Sequence, residues 1–158
     1  MPKDAESQLV LPFKPPFLVL ILVVLGCIIQ FIYPIEIWDQ TIPRIAIGSV
    51  LMMLGGALMG ASSKAFKVQG EHFSHAEETS AVVNTGPFRF SRNPVYLAMM
   101  IIIAGLAIAS NIAWILITFH LIGVLALHFL VVLPEEKYLR STLGSDYDEY
   151  CNEVRRWL

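Results

Sequence analysis

The sequence predicts an all-α integral membrane protein with four transmembrane helices, a cytoplasmic loop and a C-terminal amphipathic helix. Three observations predict it. The chain of 158 residues is 56% hydrophobic and only 15% charged, too apolar for a soluble domain of that size. Its apolar residues gather in four segments, 17–35, 45–61, 95–109 and 112–133, where a helical crossing takes roughly 17–25 residues. Finally, with both termini placed in the cytoplasm, Lys3, Lys14, Lys64, Lys67, Arg89, Arg92, Lys137, Arg140, Arg155 and Arg156 all fall inside. Only Arg44 lies outside or at the outer boundary. That asymmetry is the positive-inside pattern, and it puts the central loop 62–94 and the tail 134–158 on one side.

Residues 1–16 read as a polar, Pro-rich lead, and 17–158 as a single membrane domain. The first apolar run lacks a small-residue cleavage site and reads as a retained signal anchor. The turn after it carries Pro34, Pro43 and Trp38, which suits an aromatic anchor at the outer headgroup level. In the second segment, Gly56 and Gly60 form a Gly-x-x-x-Gly face. Close packing within the chain is one reading of it and a homodimer contact the other. The third segment is short. It spans fully if Arg92 to Tyr96 below and Ser110-Asn111 above are helical, and is otherwise a re-entrant piece. Cys27 and Cys151 are too separated to form a disulfide or metal pair and read as packing residues.

Loop 62–94 is long for a connection without a function. His72 and His75 near Glu77 and Glu78 resemble a metal set, but no cysteine joins them and no metal is expected. Ser80, Ala81, Val82 and Val83 read as a short extended stretch, apolar and partly β-branched. Gly86-Pro87 then turns the chain toward Arg92. In the tail, Pro134 suits the first turn of a new helix ending at Gly144. Ser145 with Asp148 resembles a capping box. Tyr147, Tyr150, Cys151, Val154 and Trp157 follow at helical spacing as an apolar stripe, suited to the membrane surface or to a lid over the central loop.

Two clusters stand at the feet of the hairpin made by the third and fourth segments. Arg92-Asn93-Pro94 has a structural reading as an interfacial cation, an amide cap and a helix-starting proline. Glu135-Glu136 has one as an acidic helix start. His128 lies about two turns before Glu135, nearly on the same face if helical geometry persists through Pro134. Histidines inside a span, here His120 and His128, are costly without a bundle interior or cavity to face, although each also has a packing reading.

The run Gly86-Pro87-Phe88-Arg89-Phe90-Ser91-Arg92-Asn93-Pro94-Val95-Tyr96, with Glu135-Glu136-Lys137-Tyr138-Leu139, Gly144, Tyr147, Tyr150 and Val154-Arg155-Arg156-Trp157, resembles the isoprenylcysteine carboxyl methyltransferase family. The closer similarity is to its short bacterial branch, related to the phospholipid N-methyltransferases. It covers residue 66 to the end. The resemblance implies S-adenosylmethionine as methyl donor, a bacterial inner membrane and a cytoplasm-facing pocket. The donor contacts it implies are Ser80, Ala81, Val82, Val83, Phe88, Asn93, Pro94, Tyr96, Glu135 and Glu136. Asn93, Phe88 and Ala98 stand where the eukaryotic branch has His, Tyr and Gly. The arginine which that branch uses near its substrate maps to Val131.

The partners expected are S-adenosylmethionine from the cytoplasm, a hydrophobic or amphiphilic acceptor from the membrane and the lipid bilayer, with no nucleic acid. Arg92 is the candidate to pair with the donor's carboxylate or to brace Glu135 or Glu136. His128 is the candidate base for a thiol or amine acceptor, whereas a carboxylate acceptor needs none. Two rivals remain: a sterol-reductase-like enzyme using NADPH, and a non-enzymatic module whose histidines line a proton or metal path.

Overall fold

The computed structural model describes residues 15–68 and 81–158. Among these, all regular structure is helical: α1 (Pro15–Ile32), α2 (Thr41–Val68), α3 (Pro94–Ser110), α4 (Ala113–Leu143) and α5 (Ser145–Glu153), with a 3-10 turn at Gly86–Arg89. Helices α1, α2 and α4 are long and apolar enough to cross a membrane. The 17 residues of α3 reach only about 26 Å at 1.5 Å per residue, just under a bilayer core of about 30 Å. It gains only Pro94 and Ser110 over the apolar run. Arg92 and Asn93 stay outside the helix, and Asn111 closes it in the left-handed conformation at φ 61, which Asn tolerates.

Glycine spacing sets how α2 and α3 meet. A Cβ on Gly48 would lie 2.6 Å from the Gly105 carbonyl oxygen, and one on Gly55 would lie 2.9 Å from that of Ala98. The two backbones therefore touch and run antiparallel, since 48 pairs with 105 and 55 with 98. Of the two readings of Gly56 and Gly60, close packing within the chain is not made among the described residues, where neither has an atom within 4 Å of its added Cβ. One residue further round a helix is about 100° away, so Gly56 leaves the face that Gly55 occupies.

Helix α4 packs antiparallel on both α3 and α1. Thr118 Oγ1 donates to the Leu22 carbonyl at 3.0 Å, and His120 Nε2 donates to that of Met100 at 3.2 Å. The core between these helices holds Leu22, Tyr96, Phe119, Leu127 and Val131. The expected new helix at Pro134 is not separate. The backbone stays right-handed helical through Val132 (φ −63, ψ −46) and Leu133, and π winding over His128–Val132 precedes the proline. A proline ring clashes with the carbonyl four residues back, and a widened preceding turn relieves that clash.

At one end, Trp114 Nε1 donates to the Tyr33 carbonyl at 2.7 Å, and Asn111 Oδ1 accepts from the Ile37 and Trp38 amides at 2.9 and 3.1 Å. Arg44 Nη1 donates to the Ala109 carbonyl there. The α1–α2 and α3–α4 connections therefore share that end. The start of α3 and the end of α4, which carry the two charged clusters, share the other.

Gly144 ends α4 at φ 59 as expected, but no side-chain cap forms at α5. Ser145 Oγ donates to Asp146 Oδ1, while Asp148 pairs with Arg140; the capping box is not made. The Tyr147, Tyr150 and Val154 stripe packs inward on Val82, Leu139 and Leu143. Among the described residues Ala81, Val82 and Val83 form no strand. Ser80 and the His72/His75 set lie outside the described residues, as does most of the N-terminal lead.

Candidate functional site

The tail docks on the segment that opens α3. Arg92 N donates to the Arg155 carbonyl at 2.9 Å, and Asn93 Nδ2 and Ser91 Oγ donate to the Arg156 carbonyl at 2.9 and 3.3 Å. The Asn93 side chain was expected to cap α3; it makes no cap bond and is taken by the tail instead. The 3-10 turn before it is held from two sides. The Phe88 ring meets Phe66 edge-on at 5.0 Å, and Tyr150 Oη donates to the Phe88 carbonyl at 2.8 Å. Burial behind that bond pushes the Tyr150 hydroxyl pKa above its ordinary value.

The adjacent carboxylates have different partners. Glu135 Oε1 accepts from Tyr96 Oη at 2.8 Å, joining α4 to the first turn of α3. Glu136 is buried and accepts a two-pronged pair from Arg156, Nε to Oε1 and Nη2 to Oε2, both 2.8 Å. Arg92 Nη1 approaches the same carboxylate at 3.4 Å and also donates to Cys151 Sγ. Hydrogen bonding to Glu136 holds the Arg156 pKa above its ordinary value. Cys151, expected only to pack, is a hydrogen-bond acceptor for Arg92.

His128 lies under the tail. Its ring is 6.1 Å from that of Trp157 and 4.9 Å from that of Phe129, and its Nδ1 is buried with no hydrogen-bond partner among the described residues. Trp157 packs on the cluster that contains Tyr96, Val131 and Val132. Arg92 Nε is likewise buried without a partner among the described residues. Each of these two nitrogens has hydrogen-bonding capacity left for a ligand.

Of the implied donor contacts, the structure thus joins Tyr96 with Glu135, ties Asn93 to the tail and buries Pro94 at the start of α3. Glu136 is joined to Arg92 and Arg156. Phe88 and Val83 are buried with Ala65, and Ala81 is exposed. Val82 lines a different feature, a cavity of about 290 Å³ bounded also by Asn84, Asp146, Glu149, Tyr150 and Glu153. Among the described residues no group of His, Cys, Asp and Glu has a metal-binding arrangement.

Comparison with known proteins bears on the chemistry. The family model for phospholipid methyltransferases matches residues 43–146, more than half of the chain. The chain belongs to the phospholipid methyltransferase family. An uncharacterised protein of Haemophilus influenzae is 32% identical over 66 residues, which are 40% of this chain and the whole of that protein. No solved structure matches.

The phospholipid methyltransferase match ends within α5, before Arg156 and Trp157, the two residues that sequence reasoning did not place at the site. A signal for Arg156 was present in Glu135-Glu136. Adjacent helical residues point about 100° apart, so the two carboxylates readily take different partners, and a buried one calls for a cation. Trp157 stood only in the apolar stripe and in the Val154-Arg155-Arg156-Trp157 run of the resemblance, neither of which pairs it with His128.

Proposed function

We propose that this membrane methyltransferase uses S-adenosylmethionine and methylates a lipidic amphiphile through an amine or thiol. The observation that carries the reading is the Tyr96–Glu135 hydrogen bond beside His128 and Trp157, at the end of the bundle where α3 starts and α4 finishes. The residues fit such a donor. Glu135 offers a carboxylate for a ribose diol or ammonium, Tyr96 and Trp157 offer aromatic faces for a cation, and Arg92 Nε offers an unpaired N–H for a carboxylate.

When bound, the donor supplies an electrophilic methyl on a neutral leaving thioether. The chain's task is then alignment and exclusion of water, with reacting atoms about 3–3.5 Å apart. Tyr96 fixes Glu135 across the α3–α4 junction, and Trp157 of the tail packs beside His128. His128 takes the proton that an amine or thiol must lose, through its unpaired Nδ1. A carboxylate acceptor is the weaker candidate, because Val131 is 1% exposed within the core and puts no cation there. The charge pattern orients this end toward the cytoplasm, where the donor is, with α3 as a fourth, short crossing.

The test is incubation of membranes with methyl-labelled donor and identification of the labelled product, with Glu135→Ala as control. Calorimetry in detergent and in lipid supports the reading if S-adenosylhomocysteine binds, and if binding is lost in Glu135→Ala and Tyr96→Ala but kept in His72→Ala. Binding of NADPH instead, or no binding in either medium, refutes it.

A further inference from the structure

We infer that Arg156 and Trp157 are positioning residues: the last turn of the chain is a latch that holds the Arg92-Asn93 segment and the His128 ring in place, with Glu136 as its catch. Five observations converge on residues 155–157. Three are backbone anchorages, in which the Arg155 carbonyl accepts from Arg92 N and the Arg156 carbonyl from Asn93 and Ser91. The fourth is the fork of the Arg156 side chain on Glu136. The fifth is the Trp157 ring over His128.

The catch is specific in its chemistry. A guanidinium gripping a carboxylate with two parallel N–H bonds fixes direction as well as distance, which an ammonium does not. Glu136 is only 7% exposed, so water competes little for it. It also lies beside Arg92, whose other contact is Cys151 in α5. One carboxylate therefore ties together α4, the start of α3 and the chain end. On this assignment Glu136 acts through Arg92 and Arg156, whereas its neighbour Glu135 faces Tyr96.

Arg155 supplies an internal contrast. Its backbone carbonyl takes part, but its side chain is exposed, so removing that side chain spares the latch. The same truncation one residue later removes the fork.

The experiment uses the full chain in detergent with Trp38 and Trp114 changed to Phe, which leaves Trp157 as the one tryptophan of the three in the sequence. Its emission and its quenching by acrylamide are read in this parent and in Arg155→Ala, Arg156→Ala, Arg156→Lys and Glu136→Gln. Helical content by circular dichroism verifies folding. The latch predicts a shielded Trp157 in the parent and in Arg155→Ala. It predicts a red shift and severalfold stronger quenching in Arg156→Ala and Glu136→Gln, with Arg156→Lys between. Equal behaviour of Arg155→Ala and Arg156→Ala overturns it, and so does a lysine that restores shielding fully. If Arg156→Ala does not fold, the Arg156→Lys and Glu136→Gln comparison decides alone.

A second arm rests on the proposed methyltransferase reading. S-adenosylhomocysteine binding is expected to weaken about tenfold or more in Arg156→Ala, the scale of a lost charged hydrogen bond, and to stay at the parent value in Arg155→Ala. If the parent itself binds none, that reading fails while the fluorescence arm still decides the latch.

Discussion

Tyr96→Phe removes one oxygen from a ring that is 6% exposed and deletes the 2.8 Å bond to Glu135 Oε1. The ring keeps its place in the core, so the loss is confined to the hydroxyl and to the carboxylate left behind. Such a hydrogen bond contributes about 0.5–3 kcal/mol net, the upper half applying when the carboxyl is charged. At roughly 2–4 °C per kcal/mol for a chain of this size, the thermal midpoint falls by roughly 1–12 °C. Tyr96→Phe, Glu135→Gln and the double variant complete a cycle, and residues in direct contact couple by about 0.5–3 kcal/mol. The assay is thermal unfolding in detergent followed by circular dichroism, with S-adenosylhomocysteine calorimetry on the same samples. Binding is expected to weaken about tenfold for each 1.4 kcal/mol by which the hydroxyl had held the carboxylate in its productive orientation. A wild-type midpoint for Tyr96→Phe, or a coupling below about 0.5 kcal/mol, would refute the reasoning that this bond fixes the α3–α4 junction.

Four further outcomes are expected. Gly48→Ala puts a methyl 2.6 Å from the Gly105 carbonyl oxygen and 2.7 Å from Ala109 backbone; the helices must separate, at about 1–3 kcal/mol for overpacking. By contrast Gly56→Ala meets nothing within 4 Å and is expected to match or exceed wild-type thermal stability, since Ala outranks Gly in helices by about 1 kcal/mol. Arg140→Ala breaks a pair whose side chains are both 55% exposed, and the thermal midpoint is expected to stay at the wild-type value within error. His128→Ala is expected to retain S-adenosylhomocysteine binding while methylation of an amine or thiol acceptor falls by about 100-fold or more, the usual scale of general-base catalysis; equal loss of binding and turnover would remove His128 as base.

Much of the architecture was legible because it rests on one-dimensional patterns. Long apolar runs, Gly144 at a positive φ and the amphipathic tail each depend on residues near in sequence. Features that required two distant segments were not legible. Gly55 and Gly56 look alike in a sequence, yet only Gly55 faces α3. Pro134 reads as a helix start, but the π winding before it lets α4 continue. That winding also changes the face on which His128 and Glu135 stand, so spacing alone does not relate them. The two caps failed separately: Gly144 rather than Ser145 takes the N-cap position of α5, with Asp148 held by Arg140, and the Asn93 amide goes to the Arg156 carbonyl.

Composition and charge by themselves determined a helical membrane protein with Arg92 to Tyr96 and Glu135-Glu136 at one end, because hydropathy and cation asymmetry act segment by segment. Only the tertiary structure decided that Glu135 goes to Tyr96 and Glu136 to Arg156. The physical reason is geometric. Neighbouring helical side chains diverge by about 100°, and what each one meets is set by α3 and by the chain's last turn, both remote in sequence.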